Sequence, residues 1–74
     1  MTAPAPLPLP DDPRIPELLA AWPDFQRTYP YPKATWLGAL EGVLRRHYPA
    51  ASSEELTYTA RLAAPFPLAN PGAP

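Results

Sequence analysis

The residues able to do chemistry in this chain are few. Among its 74 residues there is one histidine, His47, and no cysteine. A single imidazole without a thiolate cannot assemble a zinc site of the common Cys/His type, and no disulfide can form within the chain. The carboxylates include two adjacent pairs, Asp11 with Asp12 and Glu54 with Glu55, which lack the spaced oxygen ligands of a calcium loop. Neither a metal nor a cofactor is expected. The glycines, Gly38, Gly42 and Gly72, make no phosphate-cradling loop. For nucleophilic catalysis His47 has only Ser52, Ser53 or a threonine to activate, and nothing in the spacing holds such a pair together. The chain is expected not to be an enzyme.

Basic and aromatic residues offer a different chemistry. The stretch 27–33 (RTYPYPK) alternates Arg27 and Lys33 with Tyr29 and Tyr31, a pattern that can stack on and neutralise a single nucleic-acid strand. The plainer reading packs the tyrosines along a helix edge and leaves the cations in water. Arg45, Arg46 and His47 form a second cluster, which complements the negative end of a helix dipole without further function. The central third of the chain is the positive one, yet the whole carries a net charge of −1 and a pI near 5.6. Proteins devoted to duplex DNA usually show a strong basic patch, so nucleic acid is the second reading and a protein partner the first.

These side chains must be positioned by a very small core. Fourteen of the 74 residues are proline, and proline removes a backbone donor and pushes the preceding residue out of the helical region. Ten of the fourteen fall in residues 1–16 and 65–74. Segments such as 3–10 (APAPLPLP) favour extended polyproline II. Composition thus divides the chain into a proline-rich arm at 1–13, expected to be disordered, a helical domain at 14–64, and a proline-rich tail at 65–74. About 50 residues bury only about 60 per cent of their unfolded surface, and domains this small commonly lean on disulfides, metals or a partner.

The middle reads as an all-α fold, a small bundle of about three short helices. The first spans 15–26, with Ile15, Leu18, Leu19, Trp22 and Phe25 on one face and Asp11 or Asp12 as cap. Pro23 should end it near Trp22 or kink it into a second short turn. The second, at 33–47 with Pro32 at its first position, lines up Trp36, Leu37, Leu40, Val43, Leu44 and then His47 or Tyr48; Glu41 and Arg45 on its far side are spaced for an i, i+4 pair. The third begins at Ser53, where Ser52 and Glu55 make a capping box. Alternation of Leu56, Tyr58, Ala60 and Leu62 with Thr57, Thr59 and Arg61 leaves a strand as its alternative.

Gly38 and Gly42 each cost about 1 kcal/mol relative to alanine inside a helix. Four residues apart, they bare a strip of backbone that a neighbouring helix can approach closely, unless the connector or tail of the same chain lies there. The expectation is therefore a small interaction or regulatory protein that docks on a larger protein or self-associates, with Trp36, Gly38, Gly42, Arg45 and Arg46 as partner-binding residues. A helix-turn-helix-like nucleic-acid binder, with His47 closing one helix and Ser53 opening the next, is the alternative. A third reading assigns binding to the overlapping P-x-x-P spacing of Pro10, Pro13 and Pro16. Without a positive leader or the roughly 18 apolar residues of a membrane span, and with Met1 at its start, the chain is expected to be a complete cytoplasmic protein with no membrane association.

Overall fold

A computed structural model of the chain describes residues 6–67. Among them lie four helices and no strand: α1 (Arg14–Ala20), α2 (Trp22–Thr28), α3 (Pro32–His47) and α4 (Ser53–Ala63). The all-α expectation holds, with four helices where about three were anticipated, because the 15–26 stretch divides at Ala21. Pro23, second in α2, cannot donate to the carbonyl of Leu19, and its ring would collide with that carbonyl in a continuous helix. Ala21 keeps near-helical angles (φ −83°, ψ −3°) and its N–H reaches back to Glu17 O and Leu18 O, so one helix passes into the next without a loop.

Proline sets the other boundaries by restricting the residue before it. Tyr29 before Pro30 is extended and ends α2; Tyr48 before Pro49 ends α3; Ala64 before Pro65 is extended and ends α4. Pro32 opens α3, where its missing N–H is one of the unpaired donors anyway. The strand alternative for the last element is removed by its cap: Glu55 N–H donates to Ser52 Oγ at 3.1 Å, and Ser52 N–H donates to Glu55 Oε1 at 2.9 Å.

Helix α3 is the hub, packing against α1, α2 and α4, whereas α4 meets no helix but α3. Across its thinnest direction the molecule spans 16 Å between Cα atoms, about two helix layers. The core consists of Ile15, Trp36, Leu40, Val43, Leu44, Leu56, Ala60 and Phe66. Trp36 is fully buried, and its Nε1–H donates to Leu18 O at 2.7 Å. The indole thereby shares with the Ala21 N–H a carbonyl in the last turn of α1.

The compositional limits at 13 and 65 do not coincide with the limits of packing. Leu7 rests against the core, and its N–H donates to Thr59 Oγ1 at 2.9 Å. Phe66 is 8% exposed, its ring 4.2 Å from that of Trp22 and edge-on to Trp36 at 5.4 Å. Residues 1–5 and 68–74, the remainder of the arm and tail, lie outside the described residues. The P-x-x-P spacing does not present an extended ligand, because Pro16 is already inside the first turn of α1.

Candidate functional site

On the regular α3 helix, residues 38, 42, 45 and 46 recur at intervals of three and four and so share one side, away from the buried stripe. Gly38 and Gly42 are both exposed. A Cβ placed on either would meet nothing within 4 Å. Neither the connector nor any other described segment of the chain covers the strip. Arg45 and Arg46 are exposed at its end, and the expected partner of Arg45 is turned elsewhere: Glu41 Oε1 accepts a hydrogen bond from Thr57 Oγ1 of α4 at 3.3 Å. Of the five residues singled out from the sequence, four therefore lie together on an open face. Trp36 does not; sealed in the core, bonded to Leu18 O of α1 and edge-on to Phe66, it is out of reach of any partner while the fold is intact.

The second constellation joins residues 35 positions apart, and local spacing gave no sign of it. Asp12 is buried, with 7% exposure. Its Oδ1 accepts from the Arg14 backbone N–H at 2.9 Å, its two oxygens accept from the Arg14 guanidinium at 2.6–3.2 Å, and His47 Nε2 stands 2.8 Å from Oδ2. The Arg14 guanidinium first, then His47 and the Arg14 amide, hold the Asp12 carboxyl far below the usual carboxylate range, against the opposing effect of burial. The same pairing raises Arg14. An ionised Asp12 can only accept, so His47 donates from Nε2. The N-cap position of α1 is Pro13, which has no side-chain cap bond; Asp12, one residue before it, instead receives the Arg14 N–H and ties the N-terminal segment to the last turn of α3.

Two further bonds complete that attachment. Tyr48 Oη donates to Pro8 O at 2.6 Å, and Thr59, itself buried, accepts from Leu7 N–H while donating to Glu55 O at 2.7 Å. Ser52 Oγ, the hydroxyl closest to His47 in sequence among the serines, is engaged in the α4 cap. In the tyrosine connector, Tyr29 packs on Phe25 with ring centres 5.0 Å apart, Arg27 pairs with Asp24, and Lys33 lies over Phe66 at 5.9 Å. Of the two tyrosines, Tyr31 projects further, at 75% exposure against 42% for Tyr29.

A shallow open cleft of about 320 Å³ runs between α1 and α3, lined by Arg14, Glu17, Leu18, Ala21, Ala39 and Val43. Among the described residues no group of three or more His, Asp or Glu side chains is arranged to hold a metal ion, and no helix is long and apolar enough to cross a membrane. No protein-family model matches the sequence, and no significant similarity to a curated protein or to a solved structure was found.

Proposed function

We propose that this chain is a small, non-enzymatic interaction module of regulatory character that docks on a larger protein through the outward face of α3. The observation that carries this reading is the uncovered strip at Gly38 and Gly42, open wherever a side chain would stand. Two interior glycines that no fold contact requires weaken the helix by about 1 kcal/mol each, a cost that close approach of a partner backbone accounts for. The partner fitted to this face is a helix that carries acidic residues beside Arg45 and Arg46. Assignment to the cytoplasm belongs to the same proposal.

Binding and folding respond in opposite directions to one substitution, which makes the reading testable. With open space around Gly42, Gly42→Ala is expected to stabilise the chain by about 0.5–1 kcal/mol, and Gly42→Leu to remain folded. A partner recovered from the native host and purified should lose tenfold or more in affinity for Gly42→Leu and for Arg45→Glu, by calorimetric titration, while both variants melt cooperatively. Unchanged affinity in folded variants removes this face as the docking surface. A concentration-dependent mass in sedimentation, abolished by Gly42→Leu, would assign the face to a second copy instead. Nucleic-acid binding predicts a salt-dependent gel shift lost in Arg45→Glu; it gains little from α4, whose first turn carries Glu54 and Glu55.

A further inference from the structure

Residues 6–12 lie on α3 and α4 in the manner of a bound peptide. The segment makes one backbone bond of its own, Asp12 N–H to Pro10 O at 2.9 Å; ahead of it, a proline-alternating stretch leaves its few N–H and C=O groups free for an external surface. Between Pro6 and Pro8 the one available donor is Leu7 N–H, and it is met by the buried Thr59 hydroxyl, whose own hydrogen is committed to Glu55 O. The next carbonyl, that of Pro8, is met by Tyr48 Oη. Leu7 packs on the core while Leu9 is 48% exposed. Five residues after Leu7, the Asp12 carboxylate meets His47 at the end of α3. The seat thus reads an apolar residue, the carbonyl of the proline after it, and an acid at a fixed distance.

We infer that residues 6–12 are a ligand held in cis, and that the seat formed by Tyr48, Thr59 and His47 also binds a proline-rich segment of another protein that places an acid about five residues after a buried leucine. This site is separate from the outward face of α3, and neither depends on the other. The acid of the occupant follows from His47 Nε2, 2.8 Å from the Asp12 carboxylate, and its extended form from a threonine acceptor and a tyrosine donor that meet the backbone at Leu7 and Pro8. Because the tethered segment competes, the incoming peptide binds with an affinity reduced by the fraction of time the seat is open.

That competition gives a test no merely structural contact passes. The probe is a synthetic peptide of residues 5–14, titrated to millimolar concentration into the isotope-labelled full chain while the Tyr48 and Thr59 resonances are followed. Leu7→Ala in the full chain opens the seat and should tighten binding of the unaltered peptide roughly tenfold, whereas Leu7→Ala in the peptide should weaken it by a similar factor. If the Leu7→Ala chain does not fold, Asp12→Asn placed in the chain and then in the peptide serves the same purpose, with the same opposite signs. The inference is overturned by the absence of a saturable shift at Tyr48 and Thr59 in the opened chain, or by equal affinities across the pair. It is also overturned by a dimer that forms without peptide and exchanges its own arms, which would make the seat an intramolecular and self-association device only.

Discussion

The two proline-rich ends of the described chain both attach to α3, one together with α2 and the other together with α4, by different chemistries. The C-terminal end inserts one ring: Phe66 packs on the half-buried Trp22 and edge-on to Trp36, and is buried with Trp36 in the core. The N-terminal end is held mainly by polar bonds, from Leu7 to Thr59, from Tyr48 to Pro8 and from His47 to Asp12, with only Leu7 resting on the core. Apolar insertion is strong and indifferent to pH. Polar attachment in partly exposed positions nets about 1 kcal/mol per bond and can be released piecemeal. One end is therefore structural, and the other is suited to exchange.

Breaking the C-terminal attachment should have the largest effect. Phe66→Ala is expected to cost about 3–5 kcal/mol, a large share of the stability of a domain this size, and chemical denaturation followed by tryptophan fluorescence will measure it. The N-terminal attachment should respond next, and to acid. Asp12 has a depressed carboxyl in the folded state, so its contribution is fully present above the ordinary carboxyl range, near pH 4, and is lost progressively as the pH falls below it. Thermal melts between pH 2 and pH 6 should show the wild type losing more than Asp12→Asn over that interval, with the two parallel above it. Thr59→Val leaves Leu7 N–H without its acceptor at nearly constant shape and is expected to cost about 1–2 kcal/mol. The smallest loss, about 0.5–1.5 kcal/mol, is expected for Tyr48→Phe, with faster amide exchange at the neighbouring Leu7, whose N–H is bonded to Thr59, as a companion signal. If Tyr48→Phe proved as damaging as Phe66→Ala, the contrast between the ends would fail.

What could be read from the sequence was local. The Ser52–Glu55 cap, the α3 stripe and the break near Pro23 depend on residues within one or two turns of each other, and the structure reproduces them. The open strip at Gly38 and Gly42 was legible as a spacing, but whether the chain itself covered it was not. The long-range ties were invisible: 52 positions separate Leu7 from Thr59, and no periodicity reports such a pair. Proline-richness predicts disorder for 1–13, yet a backbone with few internal bonds has donors and acceptors to offer elsewhere, as Leu7 and Pro8 do. Phe66 did leave a signal, as the lone aromatic in the proline-rich tail. Glu41 shows a local rule giving way, its spacing to Arg45 losing to Thr57 on the neighbouring helix.

The division of the first helix at Ala21 bears on how the chain reaches this state. Helices of seven residues are far below the length at which an isolated helix persists in water, so α1 and α2 can form only on a surface already made. The 16-residue α3 and the capped 11-residue α4, joined by a short turn, supply that surface through contacts close in sequence, which form early. Folding should accordingly run from the C-terminal half backwards. Substitutions at Ala21 or Pro23 should then change the unfolding rate and leave the folding rate nearly constant in stopped-flow chevrons, and the N-terminal segment should be the last part of the molecule to arrive.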